Sequence, residues 1–235
     1  MDPLKSKSLT VVIPAFNEQE NLGRALDNVA LALQGLVDDY EIIVIDDGSI
    51  DRTPSIAREK MRDDPRVKCL SNDRNRGYGY SYWRGVMAAT KDYVGVFTAD
   101  NDMSWESLRD LVQNMGQADV LTSYMCNTHQ REFGRRALSK AFVVMMNAVF
   151  QMRLKYFNGP FIGRRDLLQT LTIRSSGLTV LAECKVKLIK QGYSYQEIPF
   201  TYVRRSGGRS TALRLKSIKA VISAVGGMYK DIYLK

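Results

Sequence analysis

With 235 residues, 45% of them hydrophobic, the chain can bury one large core or two small ones. No stretch reaches the roughly 18 consecutive apolar residues of a membrane span, and three scattered cysteines, Cys69, Cys126 and Cys184, exclude a disulfide framework. The net charge of +9 comes from the half that follows Arg131, which favours an anionic partner: phosphate, nucleic acid or an acidic membrane surface.

LTVVIPA (9–15) is a β-rich apolar run that stops at Pro14. Asn17 is expected to cap the following helix, with Glu20 three residues on as in a capping box. Leu22, Ala25, Leu26, Val29, Ala30 and Leu33 give that helix one apolar face. EIIVIDD (41–47) predicts a second strand, apolar until it meets two acids, as suits a parallel strand covered on both faces. Thr53–Pro54 opens the next helix as N-cap and first helical residue. VKCL (67–70) is a third strand, and a helix follows the glycine-rich GYGYSYWRG. YVGVFT (93–98) is a fourth strand, Trp105–Met115 a helix and ADVLTS (118–123) a fifth strand. In the second half, residues 135–152 predict a long helix and FNGPFIGRR (157–165) a turn-rich connection. Leu178–Gln191 predicts a helix, YSYQEIPFTYV (193–203) an extended segment and RRSGGRST (204–211) a basic loop. An amphipathic helix interrupted at Gly226–Gly227 ends the chain.

A βαβ series of this kind predicts an α/β fold with a mostly parallel central sheet flanked by helices. Such sheets bind ligands at the carboxyl ends of their strands. Asn17 and Glu18, Asp46 and Asp47, and Asp100 and Asp102 all fall just past strand ends. Either of the last two alone equally suits a turn. As a pair one residue apart they repel unless a cation or proton lies between them. Magnesium is commonly held by one or two carboxylates plus substrate phosphates, so the pair suits a metal-bound diphosphate. Cys126 and His129 have a metal-like spacing but are too few for a closed zinc site.

VVIPAFNEQENL (11–22), EIIVIDDGSIDRT (41–53), NRGYGYSYWRG (75–85) and TADNDMS (98–104), in this order and at these separations, resemble the family 2 glycosyltransferases with the GT-A fold. Arg136 and Ser139 on the long helix, Glu183, and EIPFTYVRRSGGRST (197–211) resemble the polyprenol-phosphate sugar synthases, dolichyl-phosphate mannose synthases among them. The resemblance covers roughly residues 9–211. It implies a catalytic domain over 1–211, with a nucleotide-sugar half (1–125) and an acceptor half (126–211), followed by an amphipathic helix at 212–235. It also implies that Pro14, Ala15, Asn17 and Glu18 line the nucleotide pocket and that Asp46 hydrogen-bonds the base. Asp47, with Ser49 and Asp51, would shape the adjoining loop, and Asp100 would reach the nucleotide as well as the metal. Asp100 and Asp102 would hold Mg2+ or Mn2+, and Arg136, Ser139 and Arg205 the acceptor phosphate. Asp100, Asp102 and Arg205 are thus the implied catalytic residues.

The implied reaction is an inverting transfer of a hexose from GDP-mannose or UDP-glucose to a polyprenyl phosphate. Three positions depart from the family pattern: Ser104 where Gln is usual, Asn158–Gly159 near an Asp and a Ser, and Ser210–Thr211 for Ser-Lys, where Arg209 could supply the charge. Arg135–Met152 and Leu213–Leu234 mix apolar faces with Arg or Lys, which suits either an interfacial helix or core packing. The N-terminus lacks the apolar middle of a signal peptide, so the expected location is cytoplasmic, peripheral on the cytoplasmic face of a membrane or tethered by a membrane protein. A glycan acceptor is the nearer alternative; it would need a general base, for which Glu183 is the candidate. A non-enzymatic nucleotide- or anion-binding module is the alternative of a different class. Nucleic acid is disfavoured, because the acidic edge would repel a phosphate backbone.

Overall fold

In the computed structural model, which describes residues 4, 6–203 and 215–234, strands and helices alternate. The first half runs β1 (Ser8–Ala15), α1 (Leu22–Leu33), β2 (Asp39–Asp46), α2 (Thr53–Asp63), β3 (Val67–Ser71), α3 (Tyr78–Ala88), β4 (Tyr93–Val96), α4 (Trp105–Gln113) and β5 (Val120–Met125). A 3-10 turn (Thr128–Gln130) leads into α5 (Phe133–Phe150), β6 (Phe161–Arg164), α6 (Arg165–Leu168), α7 (Val180–Lys190), β7 (Tyr195–Phe200) and α8 (Leu215–Tyr233). The strands form one sheet in the order β3-β2-β1-β4-β6-β5-β7. β1 pairs in parallel with β2 and β4, β2 with β3, and β5 with β7. β6 is antiparallel to both its neighbours, β4 and β5.

The sheet has helices on both faces, which is why β1 is buried at every residue. Leu9, Val11 and Ile13 point into one core with the apolar faces of α1 and α4, including Leu26, Val29, Leu108 and Leu111. Val12, one step out of phase, joins Tyr82 and Val86 of α3 and Leu181 and Leu188 of α7 on the other face. A third cluster joins α5 (Met146, Phe150), α7 (Ala182, Val186) and α8 (Val225, Met228). α7 is thus walled in from Val180 through Leu188, including Glu183, Lys185 and Lys187.

Four sequence expectations are corrected. Asn17 caps no helix: α1 begins at Leu22, and Asn17 takes the left-handed conformation with φ 55°. Thr53 is the first residue of α2 and Arg52 its N-cap, an offset of one position. FNGPFIGRR contains β6, a strand paired on both sides. α8 runs unbroken through Gly226–Gly227, held by the buried Val225 and Met228. Ser104 is the N-cap of α4, its Oγ accepting the Ser107 N–H at 3.3 Å.

Candidate active site

The carboxyl ends of β1, β2 and β4 lie side by side, and three loops leave from them. Ala15 is in register with Asp46 across β1 and β2, and Pro14 with Ile45. The first two loops are stitched together. The Asn17 N–H donates to Ser49 Oγ at 3.0 Å, and Asn17 Oδ1 accepts the Ile50 N–H at 3.0 Å. The Glu18 N–H donates to Thr53 Oγ1 at 2.7 Å, and the Gln19 N–H to Asp51 Oδ2 at 3.2 Å. The left-handed backbone at Asn17 serves this stitch: an Asn tolerates φ > 0 and brings its own acceptor.

Asp46 and Asp47 are both buried and face different tasks. Asp46 Oδ1 accepts the Ser49 N–H at 3.1 Å and so shapes the loop it begins. Asp47 is occupied inward: it accepts from Asn72 Nδ2 (2.6 Å), the Arg76 N–H (2.9 Å) and the Gly77 N–H (2.8 Å). It therefore fixes the approach to α3, a different segment from the Gly48–Asp51 loop that the resemblance implied it would shape. Between them and Ser49, Gly48 has φ 73°, and a Cβ there would meet the Arg74 carbonyl carbon at 2.6 Å. Only glycine fits so close a backbone crossing.

The third loop carries the acidic pair. Asp100 is buried, and its Oδ1 accepts the Asp102 N–H at 3.3 Å. Asp102 Oδ1 accepts from Thr98 Oγ1 at 2.7 Å. Between the pair, Asn101 has φ 55° and clamps the turn to α1: Asn28 Nδ2 donates to its Oδ1 at 2.9 Å, and its Nδ2 donates to the Asn21 carbonyl at 3.1 Å. Burial pushes the Asp102 carboxyl above the ordinary carboxylate range, against the Thr98 hydrogen bond and the attraction of Arg131.

Arg131, which the sequence reading did not single out, is the cation that faces this pair. Its guanidinium lies 5.2 Å from the centroid of the Tyr202 ring, and its Nη1 is 3.5 Å from the Tyr156 hydroxyl. Its Nε is buried without a hydrogen-bond partner. Burial raises the Tyr156 hydroxyl pKa, while Arg131 and the Ser139 hydroxyl hold it down. Ser139 is thereby brought to the acidic pair through Tyr156 and Arg131. Arg136 is exposed on α5, three residues ahead of Ser139. Arg205, with Arg204, Arg209, Ser210 and Thr211, lies outside the described residues. Local sequence offered no signal for Arg131, because it sits past a 3-10 turn and only the return of Tyr156 and Tyr202 gives it a setting.

Glu183 is unsuited to act as a base. It is buried in α7 and accepts from the Arg174 N–H (3.1 Å), the Ser175 N–H (2.9 Å) and Lys187 Nζ (2.7 Å). Lys187 also reaches Asp231 of α8 at 2.8 Å, so this network ties α8 to α7.

No group of three or more His, Cys, Asp or Glu side chains converges on a metal position among the described residues. Two adjacent hard carboxylates, one in surroundings that disfavour its charge, nevertheless fit a divalent cation whose remaining ligands come from a diphosphate. The neutral Thr98 hydroxyl bonded to Asp102 leaves that charge to be balanced from elsewhere.

A family model described as Glycosyl transferase family 2 matches residues 10–179. A dolichol-phosphate mannosyltransferase of Pyrococcus furiosus is 30% identical over 212 residues, covering 86% of this chain and 58% of that protein. A low-salt glycan biosynthesis hexosyltransferase of Haloferax volcanii is 26% identical over 212 residues, covering 85% of this chain and 49% of that protein. The chain thus spans about half the length of these curated relatives. Among solved structures, glucosyl-3-phosphoglycerate synthase from Mycobacterium tuberculosis, crystallised with Mn2+, UDP and phosphoglyceric acid, superposes with a TM-score of 0.74 at 19% identity. The superposition covers 96% of this chain and 81% of that one, and at this identity it shows the shared fold.

Proposed function

Because this chain belongs to the family 2 glycosyltransferases, we propose that it transfers a hexose from a nucleotide diphosphate sugar to a polyprenyl phosphate, with inversion at the anomeric carbon. GDP-mannose is the first candidate donor and UDP-glucose the second. The observation that carries the reading is the Asp100–Asp102 pair: two neighbouring carboxylates, one destabilised by burial, at the edge where the β1, β2 and β4 loops meet. Asp46 and the stitched loop around Asn17 and Glu18 receive the nucleotide. Asp100 and Asp102 hold Mg2+ or Mn2+, which when bound neutralises the diphosphate and stabilises it as a leaving group. The Mn2+ and Mg2+ named for the M. tuberculosis structures are in keeping with this.

Arg131, Ser139 and Arg136 are assigned to the acceptor phosphate, as is Arg205 on the resemblance alone. A lipid phosphate oxygen attacks the anomeric carbon as the bond from that carbon to the diphosphate breaks. The nucleotide diphosphate leaves with the electron pair. The attacking oxygen is ionised near neutral pH, so the protein's tasks are positioning and charge neutralisation. That Glu183 is fully engaged agrees with a reaction that needs no dedicated base. Guanidinium groups suit the task, since their planar fork matches phosphate oxygens.

Among the described residues no helix is long and apolar enough to cross a membrane. The outer side of α5 exposes Phe133, Leu138 and Val144 beside Arg136 and Lys140. That mixture supports contact with an anionic membrane surface on the cytoplasmic face, where the lipid acceptor would lie.

The test is purified protein with Mn2+ or Mg2+, each donor in turn, and a short polyprenyl phosphate. The expected result is a lipid-linked hexose phosphate whose formation stops on chelation. Transfer to a glycan but not to lipid phosphate would replace the acceptor assignment. Absence of any metal-dependent thermal shift with GDP or UDP would overturn the donor reading.

A further inference from the structure

The segment between α5 and β6 is held with unusual thoroughness. Asn147 clamps Leu154 from both sides, its Oδ1 accepting the Leu154 N–H at 3.0 Å and its Nδ2 donating to the Leu154 carbonyl at 2.9 Å. The Lys155 N–H donates to Glu197 of β7 at 2.7 Å. Ser123 Oγ donates to the Pro160 carbonyl at 2.6 Å. Gly159 lies so close to β5 that a Cβ would meet the Ser123 carbonyl oxygen at 2.5 Å and the Tyr156 ring at 3.0 Å. From behind, Lys185 of α7, fully buried, donates its Nζ to the Gly159 carbonyl at 2.7 Å.

Lys185 is an odd choice for this place. The neighbouring groups it meets are the Phe161 ring, 5.5 Å from Nζ to centroid, the Cys184 thiol, and Glu197 as a source of attraction. Burial brings its pKa down to about 7, so holding the ammonium there is unfavourable. A lone buried ammonium is costly in a core unless a hydrogen bond requires it there. The lysine therefore answers to the turn it grips.

One group in this clamped turn is left out. Asn158 Oδ1 is buried and has no hydrogen-bond partner. Buried acceptors in native proteins are nearly always paired, so an orphan needs a reason. Its position supplies one. β6 enters the sheet at the edge where β4 and β5 leave it: Gly95 is in register with Ile162 and Thr122 with Phe161. Asn158 therefore stands at the working edge, two residues from Tyr156, which meets Arg131.

We propose that Asn158 is a specificity determinant for the transferred sugar, its Oδ1 accepting a hydrogen bond from a hexose hydroxyl, and that Lys185 is the positioning residue that fixes it through Gly159. This inference rests on the glycosyl-transfer reading above. A hydroxyl supplies the donor that the orphan lacks. A base or diphosphate would be contacted at the β1, β2 and β4 loops instead.

The experiment compares nucleotide sugar with bare nucleotide: GDP-mannose against GDP, and UDP-glucose against UDP, by calorimetry with Mn2+ present. Asn158→Ala is expected to weaken the sugar nucleotide that the wild type prefers by roughly tenfold, the order of one buried hydrogen bond, and to leave the bare nucleotide within about twofold. Lys185→Met should move the same ratio in the same direction by a smaller factor, while bare-nucleotide affinity holds and the melting temperature changes little, since relief of the buried ammonium offsets the bond lost at the Gly159 carbonyl. A loss of general structure would weaken both ligands together. Equal weakening of both, or no change in either, in Asn158→Ala overturns the inference while leaving the donor reading intact. An unchanged ratio in a folded Lys185→Met removes Lys185 from it. A wild type that binds neither sugar nucleotide overturns the donor reading itself, and this inference with it.

Discussion

Replacing Asp102 by Asn removes one negative charge and little else. The new amide oxygen can still accept from Thr98 Oγ1, which lies 2.7 Å from Asp102 Oδ1. Burial raises the Asp102 pKa despite the Thr98 hydrogen bond and the attraction of Arg131. A carboxyl raised in the folded state contributes stability below its unfolded pKa and loses it as pH rises through the folded value. The ionised form of the group is therefore a burden on the fold. The amide should leave the melting temperature unchanged or higher. Function should move the other way. Two unit charges about 4 Å apart interact by about 4 kcal/mol at an effective dielectric near 20, a lower bound for a carboxylate facing a divalent cation. At about 1.4 kcal/mol per factor of ten, losing that attraction should cut metal-dependent transfer roughly a thousandfold. Calorimetric melting and steady-state transfer at one fixed Mn2+ concentration, sub-saturating for both proteins, read both halves. Transfer within about tenfold of the wild type would remove Asp102 from the metal site, and a marked fall in melting temperature would refute the electrostatic reasoning.

Arg131→Met keeps an apolar stem against Tyr202 but removes the guanidinium; KM for a phosphate-bearing acceptor should rise roughly a hundredfold, while nucleotide affinity holds, since a charge-assisted contact is worth about 1.5–3 kcal/mol. Measuring the two constants separately checks it, and a matched loss in both would count against the acceptor-side assignment. Glu41 lies buried far from the site, and although burial alone would raise its pKa, hydrogen bonds from Lys68, Thr10 and Thr90 pull it down to about 2. The stability this supplies is present above the ordinary glutamate range near pH ~4.3 and lost as pH falls toward 2, worth about 3 kcal/mol in all. Urea melts of wild type and Glu41→Gln across that range should converge at low pH; parallel curves would refute the assignment. Gly48→Ala forces a Cβ against the Arg74 backbone at a left-handed φ, and should destabilise by about 2 kcal/mol or more. It should also weaken nucleotide binding, both readable from one set of ligand-dependent melts.

Much of the first half of the chain was legible because its signals are local. EIIVIDD is a buried strand ended by acids, and the D-x-D pair stands out as two like charges one residue apart, although its proposed metal role needed the surrounding motifs as well. Asn17 misled because a good cap sequence and a good left-handed stitch use the same residue type, and its partners Ser49 and Ile50 lie far along the chain. β6 escaped notice because four residues flanked by Gly and Pro carry no periodicity; its strand character comes from β4 and β5 on either side. Gly226–Gly227 read as a break because glycine lowers helix propensity, yet packing of Val225 and Met228 against α5 and α7 outweighs it. Arg131 and Lys185 were invisible for a shared reason: each acts on a neighbour supplied by a different part of the chain.

The reversed direction of β6 has a further consequence for how such a protein can diversify. Since β5 ends and β6 begins at the same edge, everything between Met125 and Phe161 is, in topological terms, the loop of one oversized hairpin. A loop of that kind can be lengthened, shortened or exchanged without rerouting any strand. The α5 excursion is therefore a natural cassette, and chimaeras that swap it at Ser123 and Phe161, together with the residues of α7 and α8 that pack on it, should keep the β1–β4 frame folded.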